Sequence, residues 1–286
     1  MPNRIAIVTD TDSSLPLDLA AQVGVAQVPI IVQFGDESFR DAYDLDAAAA
    51  FARIDREGKI PTTAAPSPGQ FVEQFKAAFE GGASSIICFN ISSEMSATFQ
   101  SARQAAELLP GKDITVVDTR TLSLAQGFMV LAAAEAAAAG KSKEQVLAAA
   151  ETVGKRTHLY ASLSTLKYLA MSGRVGHLAA GIAGILEVKP VLTVIDGKLQ
   201  LLERVRTQSK SWGRAVELIV EAAAGKKIER FGIIHVNALA AARGFETLVR
   251  AALECPKETL CAEMMPGLSV HSGAGLVGAV LVTAQE

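Results

Sequence analysis

The sequence predicts an α/β protein of two domains, an N-terminal parallel α/β sheet domain followed by a mixed α+β sheet domain. Three observations predict it. Through the first half, short runs rich in Ile and Val alternate with helix-length segments, the pattern of a parallel sheet. Past about residue 155 the pattern changes, and Asp196-Gly197 between two extended runs marks an antiparallel hairpin. The chain has 286 residues, half of them hydrophobic, enough for roughly two cores. The domains are placed at 1–155 and 156–286.

The elements follow in order. Residues 5–8 form an apolar strand that runs into Thr9-Asp10-Thr11-Asp12-Ser13-Ser14, and Leu15-Pro16 begins a helix ending near Gly24. Residues 25–34 are again extended. After a polar loop at 41–46, the Ala-rich stretch 47–56 is a helix. Residues 62–68 make a turn-rich bridge, and Pro66-Ser67-Pro68-Gly69 opens a helix to about Glu80, proline being pre-set for a first turn. A strand at 84–90, a helix at 96–108, a strand at 114–118 and a long Ala-rich helix follow, the last stopped by Gly140. After a helix at 142–153 come the hairpin strands 189–195 and 199–205. A helix at 211–224, a strand at 231–236, a helix at 238–253 and strands near 260–265 and 278–284 complete the chain.

Composition excludes several classes of function. The 27 Lys and Arg are scattered and outnumbered by 30 Asp and Glu, so no nucleic-acid surface is expected. Cys88, Cys255 and Cys261 lack CxxC spacing, which argues against a zinc site or a disulfide framework and for a reducing compartment. The apolar helix at 128–139 is broken by Glu135 and falls short of the ~20 residues of a membrane span. The first apolar run is too short for a signal-peptide core. A cytoplasmic protein with at most transient membrane contact is expected.

In parallel sheets ligands collect at the carboxyl ends of strands, and 10–14, 90–96 and 118–123 all fall at such ends. The second of these carries Ser92, Ser93 and Ser96. Spaced by three, Ser93 and Ser96 would share a face of a first helical turn, where backbone N–H groups lack internal partners. That makes a site of neutral donors for a carboxylate or phosphate, although N-capping by Ser92 or Ser93 accounts for the same residues.

Two glycine motifs are rejected. Gly273-Ala274-Gly275-Leu276-Val277-Gly278 matches GxGxxG, but too little chain follows for a βαβ unit. Gly140-Lys141-Ser142 follows a helix rather than a strand, so it is no P-loop. A serine hydrolase of acyl esters with Ser96 as nucleophile, His271 as base and Asp10 as orienter is a competing reading, without a GxSxG elbow to support it. Among the four histidines, His271 stands out, because Ser272-Gly273-Ala274-Gly275 after it lets backbone approach a ligand.

Taken together, the chain resembles the DegV family of bacterial fatty-acid-binding proteins. The matching pieces are Val8-Thr9-Asp10-Thr11-Asp12-Ser13-Ser14-Leu15, Pro61-Thr62-Thr63 with Pro66, Ser92-Ser93 through Ser96 to Gln100, and Val117-Asp118-Thr119. Ser172-Gly173-Arg174, Lys189-Pro190, Arg206-Thr207-Gln208 and His271-Ser272-Gly273-Ala274-Gly275 continue the series in the family's order. The resemblance implies a long-chain fatty acid, and no other cofactor or metal, in a tunnel between the domains. It also implies a carrier that is not itself an enzyme and that presents the lipid to a fatty acid kinase subunit. That kinase would convert the carboxyl group to an acyl phosphate for phospholipid synthesis. The family's carboxylate-binding residues fall on Thr63, Ser96 and His271, with Thr62 and Ser93 as second choices. Its arginines linked to kinase docking or phosphoryl transfer fall on Arg174 and Arg206. Glu94, Ala97 and the pair Ala64-Ala65 depart from the family pattern, glycine being usual at the first two positions. Ile182, Ile185, Leu186, Met264, Met265 and Leu276 are candidates for the tunnel wall.

Overall fold

The computed structural model describes residues 4–174 and 188–285. In chain order it begins with β1 (Ile5–Asp10), a 3-10 turn (Thr11–Ser13), α1 (Leu17–Gln22), β2 (Val25–Val28), β3 (Ile31–Phe34) and β4 (Glu37–Arg40). Then come α2 (Ala47–Glu57), β5 (Thr62–Ala64), α3 (Pro68–Glu80), β6 (Ser85–Asn90), α4 (Thr98–Glu107), β7 (Ile114–Asp118), α5 (Ser123–Ala138) and α6 (Lys143–Lys155). The remainder comprises β8 (Thr157–Ser162), α7 (Lys167–Met171), β9 (Lys189–Ile195), β10 (Lys198–Val205), α8 (Gln208–Ala223) and β11 (Ile228–His235). It ends with α9 (Leu239–Ala252), β12 (Leu260–Glu263), α10 (Pro266–Ser272) and β13 (Val277–Thr283).

The expected parallel sheet is present, in the order β2-β1-β6-β7. A six-stranded mixed sheet, β10-β9-β8-β13-β11-β12, is built from strands that all follow residue 156. Alternation along the strands assigns each face. Ile86 and Cys88 of β6 pack with Phe71 and Phe75 of α3 and Ala102 and Ala105 of α4, while Ile87 and Phe89 face the central core. In β13, Val277, Ala279 and Leu281 meet α8 and α9, whereas Val280 and Val282 join that same central core. Helix α5 runs between the two sheets. Every residue from Ser123 to Ala134 is buried, as expected of a helix that is apolar all round. Two glycines permit this. A Cβ on Gly127 would lie 2.9 Å from the Ser13 carbonyl, and one on Gly232 would lie 2.8 Å from Leu124 Cδ1.

Several local expectations are corrected. The extended run 25–34 is two strands, not one. It breaks at Pro29-Ile30, where proline cannot donate to the ladder, and β3 leaves the parallel sheet. There it pairs antiparallel with β4 and with β5, so the supposed bridge at 62–68 begins as a strand. The β3–β4 turn is Gly35-Asp36, a hairpin signal present in the sequence. Strand β8, unassigned from sequence, sits near the middle of the mixed sheet. Helix α4 starts at Thr98 rather than at residue 96.

Candidate functional site

The carboxyl ends of β1, β6 and β7 meet, and acidic side chains tie them together. Asp10 accepts hydrogen bonds from the Ile91 N–H at 2.9 Å, from Asn90 Nδ2 at 3.0 Å and from Gln126 Nε2 at 3.0 Å. Burial nevertheless raises its carboxyl to about 6. Asp118 accepts from the Ser93 hydroxyl at 2.5 Å and from the N–H groups of Ser93 and Arg120. These contacts shape the loop that carries Ser96. Ser96 and Thr98 share a hydrogen bond between hydroxyls at 2.8 Å, and Ser96 Oγ also accepts from the Thr98 N–H.

A cavity of about 500 Å³ lies beside this loop, within the usual range for a small-molecule site. Its wall draws on both halves of the chain. Leu159 and Ala161 of β8, Leu192 of β9 and Ile234 of β11 supply apolar surface from the mixed sheet, with Met264 and Leu276 beside them. Asp12, Thr63, Ser96, Arg174 and His271 supply the polar lining, together with Glu94 and Lys198. Of the wall residues expected from sequence, Met264 and Leu276 line the cavity and Met265 does not. Ile182, Ile185 and Leu186 lie outside the described residues.

Thr63 and His271 meet within it. Thr63 Oγ1 and His271 Nε2 are 2.8 Å apart, although the residues are separated by 208 positions. Strand β5 presents Thr63 and α10 presents His271. The ring is 8% exposed, and burial with the nearby Arg174 charge lowers its pKa to about 4. It is therefore neutral at physiological pH, able to donate from one nitrogen and accept at the other.

The second-choice residues lie elsewhere. Thr62, one position earlier in β5, points away from Thr63 and approaches Gln33, while Ser93 is held by Asp118. Neither lines the cavity. The expectation that Ser93 and Ser96 share a first helical turn fails, because α4 begins only after both. Arg174 lines the cavity, whereas Arg206 is exposed after β10 and does not.

Two acids in the site were not assigned a role from sequence. Asp12 lines the cavity, and Asp41 accepts from Thr11 Oγ1 at 2.8 Å close by. Burial raises the Asp41 carboxyl to about 7, and burial with the neighbouring Asp10 and Asp41 charges raises Asp12 well above the carboxylate range. Asp12 stood in a legible motif, but nothing in sequence announces that Asp41 folds against it.

The hydrolase triad is not assembled. Among the described residues Nδ1 of His271, which is buried, has no partner, and Asp10 is engaged by Ile91, Asn90 and Gln126. The glycines after His271 admit close packing. A Cβ on Gly273 would collide with the Tyr168 ring, and one on Gly275 with the Ser164 hydroxyl. Among the described residues, no group of His, Cys, Asp and Glu could hold a metal ion, and no helix is long and apolar enough to cross a membrane.

The family model described as "Uncharacterised protein, DegV family" matches residues 4–284. The chain belongs to the DegV family. It is 35% identical over 284 residues to a DegV domain-containing protein of Deinococcus radiodurans, covering 97% of this chain and 98% of that one. It is 30% identical to a DegV domain-containing protein of Listeria monocytogenes, covering 97% and 98%. Among solved structures, a DegV family protein of Thermus thermophilus, described for its fatty acid binding, superposes with a TM-score of 0.91 at 34% identity, covering 98% and 100%. DegV of Bacillus subtilis, described as a fatty acid binding protein, superposes with a TM-score of 0.86 at 28% identity, covering 98% and 99%.

Proposed function

We propose that this DegV protein binds a long-chain fatty acid in the cavity between its sheets, with the carboxylate held by Thr63, Ser96 and His271. The Thr63–His271 contact at 2.8 Å carries the reading, since it places a hydroxyl and a neutral imidazole together in a largely aliphatic cavity. The fatty acid binding of the Thermus and Bacillus relatives supports it. Each buried methylene stabilises by ~0.8 kcal/mol, so about a dozen contribute on the order of 10 kcal/mol gross. Ordering and desolvation offset part of this. The acyl chain thus dominates affinity, and the head group needs donors chiefly to avoid an unpaired buried charge.

Neutral donors leave a carboxylate oxygen free to act as a nucleophile, which suits a carrier that presents its lipid to a separate fatty acid kinase. Arg174, on the cavity wall, is placed to meet charge building on a transferring phosphoryl group, and Arg206, on the surface, to meet the partner. On this reading the protein is a cytoplasmic carrier rather than an enzyme.

Mass spectrometry of organic extracts from purified protein tests the ligand, with added oleate as the refill. A saturable acyl chain at one per protein is expected. Protein that carries none and takes up none would overturn the assignment.

A further inference from the structure

Asp12 sits in the 3-10 turn after β1, 3% exposed, and lines the same cavity as Thr63, Ser96 and His271. Among the described residues its Oδ1, which is buried, has no hydrogen-bond partner. An ionised carboxylate in that position is strongly disfavoured, so the group either keeps a proton or awaits a donor. Its surroundings offer little relief. Asp10 at the end of β1 and Asp41 after β4 both oppose its ionisation, and among the described residues Arg174 after α7 is the one that favours it. Arg174 directs Nη1 to the Ser172 carbonyl, and Asp12 forms no salt bridge among the described residues. From α10, His271 faces the cavity as a neutral ring bonded to Thr63. A Cβ on Gly267, at the start of α10, would stand 2.8 Å from Asp12 Oδ1 and 2.9 Å from Asp41 Oδ2. The two carboxyl groups therefore converge on one point of backbone, where two negative charges would repel.

We infer that Asp12 is a further head-group residue, which as the neutral acid donates a hydrogen bond to the carboxylate of the bound fatty acid. This rests on the fatty-acid reading above and adds a donor to it. The O–H stays on Asp12 or is shared with the ligand oxygen, so the two carboxyl groups hold one proton and one negative charge between them. No other co-reactant is needed. A carboxylic acid kept neutral by its site and used as a donor is established chemistry in enzyme oxyanion holes. Binding then requires the proton. Once free protein loses it in alkaline solution, the Kd rises about tenfold per pH unit.

Infrared difference spectroscopy with oleate carrying ¹³C at its carboxyl group separates protein acid from ligand acid. Wild-type protein should show an unlabelled carboxylic-acid band that shifts on binding, with the labelled group ionised. The band should vanish in Asp12→Asn and persist in Asp41→Asn. Oleate titrations from pH 6 to 9.5 should show the alkaline rise in Kd for wild type and a flat profile for Asp12→Asn. A labelled acid band from oleate itself, no protein acid band in wild type, or a band lost in Asp41→Asn instead would each overturn the inference. So would a pH dependence abolished by His271→Asn but not by Asp12→Asn. If Asp12→Asn does not fold, persistence of the band in both Asp41→Asn and Asp10→Asn assigns it to Asp12, and its loss in either overturns the inference. Wild type that binds no oleate at any pH sinks the underlying function, and is distinct from all of these results.

Discussion

The Ser92 hydroxyl donates to the Gly197 carbonyl at 2.7 Å, joining the loop after β6 to the turn between β9 and β10. Arg120 donates to the neighbouring Asp196 carbonyl, and Lys198 pairs with Glu94 at 3.3 Å. The hairpin tip of one sheet domain is thus latched to a strand-end loop of the other, beside the cavity. Half-exposed, the Lys198–Glu94 pair adds at most about 1 kcal/mol.

Gly197→Ala should break the latch. Its φ is +81°, and a Cβ would stand 2.6 Å from Ser92 Oγ. Left-handed strain and the lost hydrogen bond together cost roughly 2–3 kcal/mol. Urea denaturation should show that loss, and release of bound oleate should quicken. Wild-type stability with an unchanged release rate would mean the latch contributes to neither.

Thr63→Ala, Ser96→Ala and His271→Ala should each weaken oleate retention while the protein stays folded. A lost hydrogen bond to a charged group costs ~1.5–3 kcal/mol, or roughly ten- to a hundredfold in Kd. Thr62→Ala, which alters a residue outside the cavity, should bind as wild type. Titration of a fluorescent fatty acid checks all four. Equal affinity in the three cavity variants would remove them from the head-group site.

Asp41 predicts the pH dependence of stability. Its carboxyl rises from 3.8 to about 7 on folding, so the native state binds the extra proton between those values. Stability from this group is therefore full in acid and falls as pH climbs from about 4 to 7, by on the order of 4 kcal/mol at most. His271, lowered from 6.5 to about 4, works in the opposite sense and adds stability as pH climbs through that interval. Asp41→Asn should remove the first contribution, relieve the part of the Asp12 shift that the Asp41 charge causes, and raise the urea midpoint at pH 8 relative to pH 5. Parallel pH profiles for variant and wild type would contradict the burial argument.

Arg174→Ala and Arg206→Ala should separate two roles. Both should retain oleate within a few-fold of wild type. With a cognate kinase, Arg174→Ala should slow acyl-phosphate formation at saturating protein, and Arg206→Ala should raise the concentration needed for half-maximal rate. Lipid content and ATP turnover measured on the same preparation distinguish them. Loss of lipid in step with turnover would make either arginine a determinant of lipid binding or of the fold, and normal turnover would make it a bystander.

Much of the fold was legible in the sequence because it depends on local patterns of burial. The strand at Ser85–Asn90 and the helix at Ser123–Ala138 are each apolar all round and announce themselves by length and composition, the short β-rich run against the long Ala-rich one, and Asp196-Gly197 specifies its own turn. The break at Pro29 and the Gly35-Asp36 hairpin carried signals, yet a three-residue strand such as β5 has no period to read. The site divides the same way. Thr63, Ser96 and His271 could be picked out through the family resemblance, since their neighbours form ordered motifs. Their grouping could not be derived from spacing. Which face of β5 turns inward, and which acids pack against the start of α10, are set by how strands pair and layers stack across more than two hundred residues. Burial then decides the chemistry. The sequence determined which side chains were available and where the chain would be helical or extended. Only the tertiary structure decided that Thr63 meets His271, that Ser93 turns to Asp118, and that Asp12 faces the cavity with no partner among the described residues, because solvent exclusion and long-range contact exist only once the layers close.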